Sequence, residues 1–348
     1  MNESTKISKS DELEDTPQTA QEAEAKNVEA ATEGEQAQSA GAVAEDDVIP
    51  ETRPIGLGLY EADGSNQTAP IVTEQVTPAI IGINRAEPAK EPTLQAAMRC
   101  DLGARERNED SSITFTAESG GHFKMMPFGL YIVADGMGGH TNGHVASRIA
   151  SRTAAHFILN KIYMSLLQSV GPPTHVPIQE VLVDAVQAAN TAVYSDDPEI
   201  DSGTTLTIAL ILGRRLHVAH VGDSRLYLLD DGGDLLPVTT DHSLVQRLQE
   251  VGQLTAEEAT GYRYKHVLLR AVGQVEEVEV DTYMRLLPKK GKLLLCSDGL
   301  CGFVEESVMR DFMRADLPPD QIANNLYDAA LEARSNDNVT AIVVDLDL

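Results

Sequence analysis

The chain has no tryptophan, and Phe and Tyr bring the aromatic share to only 4% of 348 residues. Any core must therefore be aliphatic, built from Val, Leu, Ile, Ala and Met. Basic residues are also scarce: 27 Lys and Arg face 54 Asp and Glu, for a formal net charge of -27. A field of that sign repels nucleic-acid backbones and anionic membrane surfaces, which excludes both as partners, and it attracts divalent cations. Cysteine is limited to Cys100, Cys296 and Cys301. An odd, small number without a C-x-x-C pair fits a reducing compartment better than a disulfide framework. No Arg lies six positions after any of them, so the Cys-x5-Arg loop of cysteine phosphatases is missing. Long apolar runs are missing too. Residues 1–45 contain no stretch of the ~7–15 apolar residues that a signal peptide requires. The longest run elsewhere, near 206–212, is far short of the ~20 residues that cross a bilayer. The expectation is a cytoplasmic protein with no membrane span.

What is present begins with a hydrophobic fraction of 42%, enough for a sizeable core. The length suits one catalytic domain with an appendage. Residues 1–93 are rich in Glu, Ala, Gln, Ser and Thr and lack sustained apolar periodicity. Such a segment cannot bury enough surface to offset the entropy of ordering, so it reads as a disordered, acidic, solubilising tail and linker. Within it, 71–85 is more apolar and suits docking on a partner or on the domain itself. Residues 94–348 carry a globular pattern. Strands are expected at 97–102, 112–117, 129–134, 204–212, 215–221, 225–229, 278–285, 291–296 and 339–346. Helices are expected at 143–165, 177–194, 244–251, 256–260, 305–314 and 319–333. Gly213-Arg214 and Asp231-Gly232-Gly233 read as hairpin turns. Strands in hairpin order with helices in blocks point to an α+β fold of antiparallel sheets covered by helices.

Hard cations such as Mg2+ and Mn2+ take oxygen ligands, mostly carboxylates, held at strand ends or on tight glycine turns. Four aspartates sit in that way. Asp135 ends an apolar strand in Val133-Ala134-Asp135-Gly136-Met137-Gly138-Gly139-His140, and Asp298 does so in Leu295-Cys296-Ser297-Asp298-Gly299-Leu300. Asp223 lies between two strands in Val221-Gly222-Asp223-Ser224-Arg225, and Asp337 precedes the last strand in Ser335-Asn336-Asp337-Asn338-Val339. A fifth acidic pair, Glu109-Asp110, precedes another strand. One Asp-Gly is an ordinary turn, but five acidic turns at strand edges can converge on one site. Other chemistries lack their residues. The 136–143 stretch has no Gly-Lys-Ser/Thr, so it is not a P-loop. His140 and His144 are spaced as in zinc proteases, but Thr141 stands where the Glu is required. Ser224 lacks the Gly-x-Ser-x-Gly elbow.

Taken in order, Gly103-Ala104-Arg105 with Glu109-Asp110, the 135–140 stretch, Ser202-Gly203-Thr204-Thr205, Gly222-Asp223-Ser224-Arg225, Ser297-Asp298-Gly299 and Asp337-Asn338 resemble the metal-dependent protein phosphatases of type 2C, the PPM family, in its bacterial form. The resemblance runs from about Met98 to the end. It implies a four-layer α-β-β-α sandwich of two antiparallel sheets flanked by helices. It also implies two Mn2+ or Mg2+ ions, with a third in many bacterial members. Carried over by motif, Asp135 bridges the two ions, and Asp298 and Asp337 complete the first. The Gly136 carbonyl and the Glu109-Asp110 pair hold the second, and Asp223 with Asp298 holds the third. Arg105 grips the substrate phosphate, and His140 lies close enough to touch the substrate.

The activity implied is hydrolysis of phosphoserine and phosphothreonine by a metal-activated water, opposing bacterial Ser/Thr kinases. Its partners would be phosphorylated proteins, including those kinases, and the protein would act as a monomer. Attack by water explains why no Cys, Ser or His nucleophile is needed. Some members have a His directly after the Asp-Gly, and Met137 stands there in this chain. Leaving-group protonation would then fall to a metal-bound water, or to His140. Residues 241–273 resemble the family's mobile flap. In it Arg263, Lys265 and Arg270 either meet phosphopeptide charge or form a solvated face. Two other readings stay open on the sequence: a non-catalytic binding module on this fold, and a phosphatase of small phosphomonoesters.

Overall fold

The computed structural model describes residues 91–120, 125–138, 142–168, 177–195 and 202–348. The expectations for a disordered tail and for a docking segment at 71–85 therefore lie outside the described residues, as does His140.

Among the described residues, eleven strands form two antiparallel sheets. One sheet has the order β1-β11-β10-β7-β8, from Thr93–Asp101, Val339–Asp347, Lys290–Cys296, Arg225–Leu229 and Leu235–Pro237. The other has the order β2-β3-β5-β6-β9, from Asp110–Ala117, Phe128–Met137, Leu206–Leu212, Arg215–Val221 and Asp281–Leu286, with the short β4 (Gly203–Thr204) on the end of β3.

The near-continuous apolar runs of the central strands follow from burial on both faces. Along β3, Leu130, Ile132 and Ala134 face a cluster shared with the helices α1 (Gly143–Ile158) and α3 (Ile178–Tyr194). The alternate residues Tyr131 and Val133 face the cluster between the two sheets. On β11, Ile342 and Val344 join that inter-sheet cluster, and Ala341 and Val343 face Met309, Met313, Ile322 and Leu326. These last four lie on α7 (Glu306–Arg314) and α8 (Pro319–Glu332). The layers are thus helix, sheet, sheet, helix, as the resemblance implies. Burying each Leu, Ile or Val here contributes about 1.5–3 kcal/mol.

Several elements differ from the expected spans for local reasons. The run at 204–212 is broken at Thr205, whose N–H donates to the Asp135 carbonyl (2.8 Å). The strand expected at 278–285 begins only at Asp281, because the Gln187 side chain of α3 pairs with the Val278 backbone instead (2.6 Å to its carbonyl). The helix expected at 143–165 passes through a π-helical turn, Leu159–Tyr163, before α2 (Met164–Gln168). There Tyr163 packs edge-on against Phe115 at 5.1 Å. Two short elements were not expected: β8, which contains Pro237, and the single turn α6 (Asp298–Cys301). The 213–214 hairpin closes as expected, with Gly213 at φ 59°. Between β8 and β9, α4 (Leu244–Glu250) and α5 (Ala256–Thr260) occupy the flap-like segment.

Candidate metal centre

The antiparallel register of β2 and β3 sets Asp110 directly opposite Asp135. In the other sheet, β10 ends at Cys296 opposite Ala341 of β11, so Asp298 and Asp337 leave the same end of that sheet. Asp223 follows β6. The two sheet ends bring five carboxylates into mutual electrostatic range. Burial first, then the charges of Asp110, Asp298, Asp223 and Asp337, push the Asp135 carboxyl well above its usual range. Asp223 is likewise raised, by burial and then by Asp298 and Asp241, against the opposing pull of Arg225. Asp337 is raised by burial and Asp298, with Arg105 and the Asn338 N–H pulling the other way.

Backbone and hydroxyl groups hold this arrangement in shape. The Asp135 N–H donates to Thr205 Oγ1 (2.9 Å), and Thr204 Oγ1 donates to the Asp135 carbonyl (2.9 Å). Ser297 Oγ (2.8 Å) and Thr340 Oγ1 (2.6 Å) both donate to Asp110 Oδ2, which ties the two sheets together. Asn338 Oδ1 accepts from the Glu109 N–H (2.8 Å). Gly136 and Gly143 approach one another so closely that a Cβ on Gly136 would collide with the Gly143 carbonyl. A Cβ on Gly143 would in turn press on the Gly136 carbonyl and the Glu109 carboxyl. The Asp-Gly of the motif and the glycine that starts α1 are thus required by this approach.

Among the described residues, no three His, Cys, Asp or Glu side chains close into a finished ligand cage. Two of the carboxylates are engaged by the chain itself. Asp337 Oδ2 is drawn to Arg105 Nη2 (2.7 Å), and Asp110 Oδ2 is taken by the two hydroxyls. One observation tests the fit to a cation directly. Asp110 Oδ1 is buried and has no hydrogen-bond partner. Burial raises the Asp110 carboxyl to about 6, against the opposing pull of Thr340 and Ser297. A buried anionic oxygen without a donor is costly, and a hard cation is the partner that suits it. The donor set is all oxygen, from carboxylates and the Gly136 carbonyl, which fits Mn2+ or Mg2+ and not a softer metal.

The structure thus brings Asp110, Asp135, Asp223, Asp298 and Asp337 into electrostatic range and sets Glu109 beside the Gly136–Gly143 approach, and His140 lies outside the described residues. Arg105 lies at the half-exposed lip, with Nε on the Asn336 carbonyl (2.9 Å) and Nη2 on Asp337. Asp223 and Asp298 line a cavity of about 300 Å3 with Arg225, Asp241, Lys265 and His266. His266 Nδ1 lies 3.6 Å from Asp298 Oδ2. Of the three flap cations, Arg270 is engaged inside the protein with Asp281 and Glu279 (2.8 Å each), so it belongs to the scaffold. Sequence reasoning assigned no role to Ser297, Thr340, Asn338 or the Arg225–Asp241 ion pair (2.7 Å). Ser297 and Asn338 stand beside Asp298 and Asp337 in motifs already singled out. Thr340 carries no local signal, because its role appears only when two sheets meet.

A sandwich of two antiparallel sheets with an acidic, hydroxyl-braced end and an oxygen donor set is that of a metal-dependent hydrolase. A family model described as Protein phosphatase 2C matches residues 108–326. The serine/threonine phosphatase stp of Listeria monocytogenes is 34% identical over 261 residues, which span 73% of this chain and 97% of that protein. A crystal structure of the Mycobacterium tuberculosis serine/threonine phosphatase PstP/Ppp aligns with a TM-score of 0.61 at 34% identity, over 73% of this chain and 99% of that one. A second, of the PstP catalytic domain in complex with two manganese ions, aligns with a TM-score of 0.59 at 34% identity, over 74% and 99%. The chain belongs to the protein phosphatase 2C family.

Proposed function

We propose that this chain is a Mn2+- or Mg2+-dependent serine/threonine protein phosphatase that acts in the cytoplasm as a monomer. Its substrates are phosphorylated proteins, Ser/Thr kinases among them. The observation that carries this reading is the facing pair Asp110 and Asp135, flanked by Asp298 and Asp337, with a buried Asp110 oxygen left without a donor. Asp135, Asp298 and Asp337 would hold one ion. Asp135, the Gly136 carbonyl and the Glu109-Asp110 pair would hold the second, directly or through water, and Asp223 with Asp298 a third. When bound, such ions neutralise phosphate charge and lower the pKa of the attacking water.

The chain's own groups do the remaining work. Ser297 and Thr340 hold Asp110 in one orientation and keep its second oxygen available. Thr204 and Thr205 fix the Asp135 peptide. Arg105, at the lip, exchanges the Asp337 carboxylate for two phosphate oxygens, which its planar fork matches. Among the described residues no helix is long and apolar enough to cross a membrane. Residues 94–348 form the catalytic domain and residues 1–93 are an appendage to it. The test is release of phosphate from a phosphothreonine peptide with and without Mn2+. Turnover that appears with Mn2+ and disappears with chelator is expected, and a folded, metal-loaded sample with no turnover would overturn the reading.

A further inference from the structure

A buried histidine outside the carboxylate centre joins two parts of the molecule that the reaction needs to keep in step. His242 lies between β8 and α4, at the start of the flap-like segment, and is 7% exposed. Both backbone polar atoms of Gly222 end on it. The His242 N–H donates to the Gly222 carbonyl (2.7 Å), and the Gly222 N–H donates to His242 Nδ1 (3.2 Å). Gly222 precedes Asp223 and sits at φ 111°, with the Thr205 side chain packed where a Cβ would stand. The turn that carries Asp223 therefore has a backbone only glycine adopts easily, and His242 fastens it.

The other side of His242 holds the return arm of the flap segment. Its carbonyl accepts from the Leu269 N–H (2.7 Å), and Nε2 lies 3.3 Å from Asp281 Oδ2 on β9. Because Nδ1 must accept from a peptide N–H, Nε2 carries the proton and donates to Asp281. Arg270 then bridges Asp281 and Glu279 alongside. The neighbouring Ser243 pairs with Leu268, and the Leu244 N–H donates to the Val267 carbonyl (2.9 Å). Entry and exit of the 243–269 segment thus converge on one residue, which also grips the Asp223 turn.

We propose that His242 is a positioning residue that couples the flap segment to the Asp223 turn: its main chain joins Gly222 to Leu269, and its imidazole joins the Gly222 N–H to Asp281 and Arg270, so that this one residue sets both the cation affinity of the Asp223 site and the discrimination between peptide and small substrates. This rests on the reading of Asp223 as a cation ligand. The cavity that Asp223 and Asp298 share with Lys265 and His266 of the same segment is where the two effects meet. Removing a partner that orients a metal ligand typically weakens metal affinity by about 10–100-fold.

The experiment compares the full-length protein with His242→Ala, His242→Asn, Asp281→Asn and Asp223→Asn. Mn2+ binding is read by calorimetry, kcat and KM on a phosphothreonine peptide and on p-nitrophenyl phosphate, and amide exchange at 222–224 and 267–269 in metal-free protein. His242→Ala is expected to weaken the weakest Mn2+ site by about 10–100-fold. It should also raise the peptide KM more than the p-nitrophenyl phosphate KM and speed exchange at both amide sets. His242→Asn, whose Oδ1 stands near the lost Nδ1, should restore protection at 222–224 and most of the Mn2+ affinity. If His242→Ala fails to fold, Asp281→Asn, which leaves both backbone bonds intact, should show a smaller loss in the same direction. Unchanged Mn2+ affinity and an unchanged substrate ratio in these variants, with Asp223→Asn still weakened, would overturn the coupling alone. An unaffected Asp223→Asn would overturn the ligand reading and the coupling with it.

Discussion

The two walls of the acidic cleft are built on different terms. On one wall Asp110, at the start of β2, and Asp337, before β11, are met by donors from the chain itself: Ser297 and Thr340 reach one Asp110 oxygen from the other sheet, and Arg105 and the Asn338 N–H reach Asp337. On the β3 and β6 side, Asp135 and Asp223 are pushed well above the ordinary carboxylate range by burial and by other carboxylates. The fold answers the first pair only in part, since Asp110 Oδ1 is left without a donor, and leaves the second pair more dependent on something from outside. The proposed cation sites draw on both pairs, and the charge that folding leaves unanswered is greatest at the second.

The comparison breaks most sharply at Asp135. Asp135→Asn should abolish peptide dephosphorylation and yet raise the thermal midpoint in chelator, since an amide replaces a repelled, buried carboxylate. Loss of turnover with a lower metal-free midpoint would mean that Asp135 is part of the scaffold. Thr340→Ala probes the braced wall. Losing one hydroxyl to Asp110 should cost about 1–2 kcal/mol of stability and weaken Mn2+ binding by about 10-fold, read by denaturant unfolding and calorimetry. A variant as inactive as Asp135→Asn would erase the distinction between the walls. A third probe is acid. Burial pushes His220 down to about 3 against an ordinary value of 6.5. The unfolded chain therefore binds the extra proton between those values, so the stability this residue contributes is full above about pH 6.5 and is lost as pH falls toward 3. His220→Gln should flatten that acid limb in a series of unfolding curves, and an unchanged limb would assign it to other groups. The smallest effect is expected from removing residues 1–90, which should leave the peptide rate unchanged. A large loss would make the appendage part of the catalytic unit.

The braced wall and the unbraced one also differed in how far the sequence disclosed them. Asp135, Asp223, Asp298 and Asp337 were legible because each ends or precedes an apolar strand, the first three beside glycine, a local pattern with a local cause. Both sheets were legible for the same reason, since burial on two faces writes continuous apolar runs. Thr340 and His242 were not legible. Each looks like an ordinary strand or loop residue, and its partners lie in a different sheet or across the flap segment. Arg270 was legible as a cation but not as one paired within the chain, because Asp281 reaches it only after β9 pairs with β6. Long-range polar pairing leaves no periodicity to read.

The central claim is that the unanswered carboxylates are cation sites, and a calorimetric titration of the metal-free protein with Mn2+ tests it most directly. The account predicts saturable binding of at least two ions, accompanied by a rise in thermal midpoint that Asp135→Asn and Asp298→Asn each diminish. A folded protein that takes up no Mn2+, or variants that bind it as the parent does, would contradict it.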